Sequence, residues 1–195
     1  KTEAVYPSPV IGMVGTVDES KQRTMDFKTK GATIYMLGEI VDDINCSEYL
    51  YSYKGVKLSP APYFNLEKEA NMQRTLSDLI NQGVIESAHD ISEGGLFIAV
   101  LESAMIRNMG FEIYSAGEVR LDSFLFGESQ GRAIVTVCQG KENEFFDMLN
   151  IAGVNCCAVG NVRDDEEIIV DEEVFGKISK YKQMYDNTIG DVLDK

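Results

Sequence analysis

The stretch GVIESAHDISEGGLFIAVLESAM, residues 83–105, constrains the fold more than any other part of the chain. A short apolar run ends at His89-Asp90, a polar turn carries Ser92 and the Gly94-Gly95 pair, and an apolar pattern follows. Within that pattern Leu96, Ala99, Val100, Ser103 and Ala104 fall on one face of a 3.6-residue period. The spacing predicts a strand over Val84–Ala88, a glycine turn, and a helix over Glu93–Asn108. Such a junction can aim backbone N–H groups and a carboxylate at one bound group. It also holds the single histidine of the chain.

Other segments fit around this junction. Asn65–Gln82 has the pattern of an amphipathic helix, with Asn65 as N-cap, Glu67 and Glu69 at the positive end of its dipole, and Gly83 as its stop. Arg132–Gln139 is nearly all β-branched or apolar and predicts a central strand. Further strands are predicted at Ala32–Ile40 and Phe111–Ser115, a helix at Lys141–Ile151, and a closing strand pair at Cys156–Val162 and Glu167–Asp171. Ser47 is a candidate cap for a short helical turn, Gly117–Phe126 is ambiguous, and residues 172–195 begin helically. Pro7 and Pro9 make residues 5–17 an extended entry segment followed by a strand. Strands and helices alternate without a strict βαβ rhythm, which predicts an α+β fold, a layered α/β/α domain on a mixed sheet. Residues 1–20 are then an arm and residues 21–195 the domain. Because the chain starts at Lys1 and runs directly into a strand-like segment, it is expected to be a piece of a longer protein.

A formal net charge of −14 argues against a general nucleic-acid binder and against attraction to an anionic membrane. It leaves room for an anion held locally by backbone amides. The cysteines at 46, 138, 156 and 157 form no C-x-x-C pair, so reduced thiols and a cytoplasmic location are expected. No apolar run reaches the length of a membrane span.

Two constellations carry chemistry. In the first, Asp90 offers a hard oxygen ligand for Mg²⁺, while Ser92, Gly94 and Gly95 offer a phosphate seat at a helix start. The same residues are also what a capped helix with tightly packed glycines needs. In the second, Glu128, Ser129 and Gln130 stand between Gly127 and Gly131, ahead of Arg132 and a buried strand. That loop suits the phosphate or hydroxyl groups of a substrate, and equally a solvated turn. The acidic runs Asp164–Glu167 and Asp171–Glu173 suit a solvated face, and no Ser-His-Asp arrangement is supported.

Taken together and in order, H-D-I-S-E-G-G-L at 89–96 and L-F-G-E-S-Q-G-R at 125–132 resemble the C-terminal domain of the AIR-synthase superfamily. The opening Y-P-S-P-V-I-G-M-V-G-T-V-D at 6–18 is similar to the segment before that domain in the second half of the phosphoribosylformylglycinamidine synthase family. Asn45-Cys46-Ser47-Glu48-Tyr49-Leu50 is similar to that family's G-G-S-E-Y-L, with Asn45-Cys46 in place of the glycines. The resemblance implies ATP-dependent amidation of formylglycinamide ribonucleotide with glutamine-derived ammonia, in purine biosynthesis. It implies ATP and Mg²⁺ as cofactors, the remaining synthetase domains and a glutaminase as partners, and a fragment inactive by itself. By the same resemblance Asp90 is a metal ligand, Ser92 contacts nucleotide phosphate, and Glu128, Ser129 and Gln130 touch a ribonucleotide. No catalytic residue is transferred to this chain, and His89 is expected to be a packing residue. Another ATP-dependent member of the superfamily, such as AIR synthase or selenophosphate synthetase, and a non-catalytic scaffold domain are the alternatives.

Overall fold

The structure, a computed structural model, describes residues 10–193. A short 3₁₀ turn at Glu19–Lys21 precedes the body of the fold. The strands are β1 (Thr33–Leu37), β2 (Ile85–Asp90), β3 (Phe111–Ile113), β4 (Ala133–Val137), β5 (Cys156–Val162), β6 (Glu167–Val170) and β7 (Glu173–Lys177). The helices are α1 (Leu66–Asn81), α2 (Gly95–Met105), α3 (Leu121–Phe126), α4 (Glu142–Ala152) and α5 (Ile178–Leu193). The sheet order is β2-β4-β1-β5-β3-β6-β7, and among these strands only the β3–β6 pair runs parallel. The result is the expected α+β architecture with a mixed sheet.

The period-2 alternation of β1 decides which side chain meets which layer. Ile34 and Met36 join α2 and α3 on one face, with Ile113, Ile134 and Ile168 from the neighbouring strands. Leu37 joins α1 and α4 on the other, with Val135, Val137, Met72, Leu79, Phe145 and Leu149. Helix α2 is buried almost all round, from Leu96 to Met105, because the sheet, α3 and α5 enclose it. A helix placed like this cannot satisfy its ends with water, so its N-terminus needs partners from the protein.

Several expectations change. Cys156–Val162 and Glu167–Val170 do not pair with each other, because β3 lies between them and bonds to both. The segment after residue 171 begins as a strand, β7, which pairs with β6 before α5 starts. Residues 10–17 form no strand, and Val10, Ile11, Met13 and Val14 stand exposed. Residues 1–9, with Pro7 and Pro9, lie outside the described residues.

Candidate functional site

Strand β2 runs two residues further than its hydrophobic pattern predicts, because β4 continues to pair with it. His89 lies opposite Ile134, and Asp90 opposite Ala133. The next residue, Ile91, donates its N–H to the carbonyl of Arg132 at 3.1 Å. This pairing brings the His-Asp turn beside the Glu-Ser-Gln loop, although the two are distant in sequence.

The two motifs meet in a cleft of ≈ 680 Å³, lined by Asp90, Ser92, Glu128, Ser129 and Gln130 and, from α1, Glu69. Asp90 sits at its rim with a side chain 77% exposed. Ser92 and Gln130 are exposed too, whereas Ser129 is buried and its hydroxyl has no hydrogen-bond partner among the described residues. On the far side of the loop a smaller cavity of ≈ 170 Å³ takes in Ser129 and Gln130 again, with Tyr63, Phe64 and Asn65. The sequence marks Asn65 only as a helix cap and gives no local signal that Tyr63 and Phe64 stand beside the site.

Gly94 and Gly95 are absent from the lining of that cleft. The Gly94 N–H donates to Glu128 Oε1 at 2.8 Å, and the Gly95 N–H to the Ser92 carbonyl at 3.0 Å. Neither Ser92 nor Asp90 caps α2, whose N-cap is Gly94, with φ 84° and no side-chain hydrogen bond of its own. Gly95 has φ 71°, and a Cβ added there would lie 2.8 Å from the carbonyl oxygens of both Leu125 and Gly127. Gly95 thus lets the backbone of residues 125–127 rest directly on the helix start, while a Cβ at Gly94 would meet the side chain of Ile98.

Arg132 secures the same loop from below. It is 5% exposed, and its guanidinium donates to the carbonyls of Gly127 at 2.6 Å and Ser129 at 3.1 Å. Burial pushes its pKa down to about 10 against the pull of Asp43, Cys157 and Glu128, so it stays cationic at neutral pH. The sequence signalled a cation there but not a buried clamp. His89, half-buried, pairs through Nε2 with Glu102 Oε2 at 2.8 Å, and its Nδ1 lies 3.3 Å from Asp90 Oδ1. Ser47 stands one residue before Glu48, the N-cap of the helical turn at Tyr49–Tyr53, and its hydroxyl accepts from the Leu50 N–H at 3.3 Å.

Among the described residues the cleft wall carries Glu69, Asp90, Glu93 and Glu128 against the single cation Arg132. A bare phosphate would be repelled there. An oxygen-seeking dication on Asp90 would offset much of that local charge, and Mg²⁺ is commonly held by one or two carboxylates plus substrate phosphates. Among the described residues no group of three or more His, Cys, Asp or Glu side chains could hold a metal by itself. An ion at Asp90 would need ligands from outside this group of side chains, with Asp90 able to supply one. No helix of the described residues is long and apolar enough to cross a membrane.

Comparison with known proteins supplies the context. The phosphoribosylformylglycinamidine synthase subunit PurL of Caldanaerobacter subterraneus subsp. tengcongensis is 41% identical over 170 residues, covering 87% of this chain and 23% of that protein. The chain thus spans about a quarter of that relative's length. The solved structure of T. maritima PurL complexed with FGAR superposes with a TM-score of 0.70 at 16% identity, covering 84% of this chain and 30% of that one. The same protein complexed with ATP gives 0.62 at 15% identity, covering 84% and 27%. At such identities the likeness speaks for the fold. The family described as AIR synthase related protein, C-terminal domain, matches residues 29–172, and the chain belongs to that family.

Proposed function

We propose that this chain is the terminal AIR-synthase-type domain of a phosphoribosylformylglycinamidine synthase, which amidates formylglycinamide ribonucleotide with glutamine-derived ammonia at the expense of ATP. The observation that carries this reading is the 41% identity over 170 residues to a subunit of that enzyme. The cleft supports it. Asp90 supplies one exposed carboxylate for a Mg²⁺ ion, Ser92 a hydroxyl beside it, and Ser129 with Gln130 the hydrogen-bonding groups for a ribonucleotide. The nucleotide, when bound, supplies the phosphoryl group that activates the amide oxygen, and the metal offsets the negative charge of the phosphates. The residues of this chain bind and orient, and none of them is assigned a bond-making role. One acid-lined wall cannot assemble the electrostatics of phosphoryl transfer, so the fragment by itself is inactive. Its partners are the remaining domains of the synthetase and a glutaminase domain or subunit, and its setting is the cytoplasm.

A scaffold without ligands is the second reading, and the internal commitment of Glu128 and the Gly94 N–H favours it for the α2 side of the cleft. The test uses the complete synthetase carrying Asp90→Asn or Ser92→Ala. A loss of bound nucleotide and a raised Mg²⁺ requirement are expected. Unchanged nucleotide content and metal dependence would leave the scaffold.

A further inference from the structure

The start of α2 has an occupant supplied by the chain itself. Glu128 Oε1 accepts from the Gly94 N–H at 2.8 Å and from the Glu48 N–H at 2.7 Å. Gly94 opens α2, and Glu48 opens the helical turn Tyr49–Tyr53. One carboxylate oxygen therefore faces both the start of α2, with its partial positive charge, and the opening amide of a five-residue helical turn. Hydrogen bonds from amides to a carboxylate are about twice as strong as neutral ones. Among the described residues no other side chain caps either turn through these two amides.

We infer that Glu128 is a positioning residue, the internal anion that closes the α2 start to phosphate and pins Ser129 and Gln130 at the cleft wall. An incoming phosphate at Gly94 would have to displace a carboxylate that holds two amides. It would do so in a wall already lined by Glu69, Asp90 and Glu93. The loop behind Glu128 cannot swing away freely, because Arg132 grips the carbonyls of Gly127 and Ser129. Residues 129 and 130 then stay where both cavities reach them. This rests on the cleft being a ligand site, but it moves the ligand's anionic groups off the helix start and onto the Asp90 side.

Amide resonances of the 195-residue chain test this without nucleotide or turnover, so the outcome is separate from that of the Asp90 and Ser92 variants. Inorganic phosphate titrated into the unaltered chain is expected to leave the Gly94 and Glu48 amides unmoved. In Glu128→Ala both amides should exchange with solvent about tenfold faster or more. The Gly95 amide, bonded to the Ser92 carbonyl, should keep its rate. Acetate or phosphate added to Glu128→Ala should restore the two amides together, which a general loosening of the loop would not allow. Glu128→Gln, which keeps an acceptor oxygen without the charge, covers the case in which the alanine variant fails to fold. Its Gly94 and Glu48 amides should speed up jointly and less, again with Gly95 unchanged. A saturable phosphate shift at Gly94 in the unaltered chain would overturn the inference. So would unchanged exchange at Gly94 and Glu48 in the variants.

Discussion

Helices α1 and α2 begin in opposite ways. At α1, Asn65 adopts an extended backbone with φ −129°, and its carboxamide oxygen accepts from the Lys68 N–H at 3.0 Å. Glu67 and Glu69 follow in the first turn, where the dipole favours them. All of this lies within five residues and stands at the surface. At α2 the cap position is a glycine with no side chain to offer, and the missing acceptor comes from Glu128, 34 residues further on. A helix on the outside carries its own cap. A helix enclosed by sheet and helices borrows one, and the borrowing ties it to the loop that forms the cleft wall.

The largest effect should come from breaking the close approach that makes the borrowing possible. Gly95→Ala places a methyl 2.8 Å from the Leu125 and Gly127 carbonyl oxygens, both main chain, at a φ of 71°. Backbone cannot yield as a flexible side chain can, so a loss of about 3 kcal/mol or more in urea unfolding is expected. Gly153→Ala, at the end of α4, is the control. Its φ is 65°, but nothing lies within 4 Å of the added carbon. Only the left-handed backbone penalty remains there, about 1 kcal/mol. Equal losses at the two glycines would remove the distinction between a packed and an open helix end.

The same contrast explains how much of the molecule was legible beforehand. The cap, acidic first turn, apolar face and terminal glycine of α1 are neighbours in sequence, and the helix was read to within a residue of its bounds. Strand β4, buried at every position from Ala133 to Val137, announced itself by composition. Strands β5 and β6 follow each other in the chain, and such strands usually pair, but nothing local in Phe111–Ile113 says that this short strand inserts between them. The site motifs were recognised as chemistry-bearing. That Glu128 answers to Gly94 and Glu48 depends on contacts between segments 34 and 80 residues apart, which no local pattern encodes, whereas Arg132 reaches loop carbonyls only three and five residues before it. The glycine pair looked the same for a phosphate seat as for close packing.

An intermediate effect is expected at the other end of α2, where Arg107 follows the last turn. Arg107 Nε bonds Asp26 Oδ2 at 2.5 Å, and Asp26 is 5% exposed. Burial raises the Asp26 pKa, but hydrogen bonds from Thr24 and Arg107 and the charge of Lys28 outweigh it and bring it down to about 2. A carboxyl with a folded pKa below its ordinary 3.8 stabilises the fold above that value and loses the contribution as pH falls through about 2. Asp26→Asn should therefore cost about 2 kcal/mol at neutral pH, and the gap to the unaltered chain should narrow as pH drops from 3.8 toward 2. Urea midpoints measured across that range decide it. A gap that stays constant with pH would mean that packing, not the ionised carboxylate, secures this end of α2.

The smallest effect belongs to α1. Asn65→Ala removes the acceptor of the Lys68 N–H, a loss of about 1 kcal/mol at a typical N-cap. That hydrogen bond is exposed, so water takes over the freed amide, and Glu67 and Glu69 continue to favour the helix start. Asn65→Asp keeps an acceptor and adds charge at the positive end of the dipole, so it should hold the stability of the unaltered chain to within a few tenths of a kcal/mol. No such local repair exists for Gly94, whose amide is part-buried and donates to Glu128. Acetate should therefore rescue Glu128→Ala and do nothing for Asn65→Ala. Rescue of both would mean that the two helix starts differ in sequence distance alone and not in their access to water.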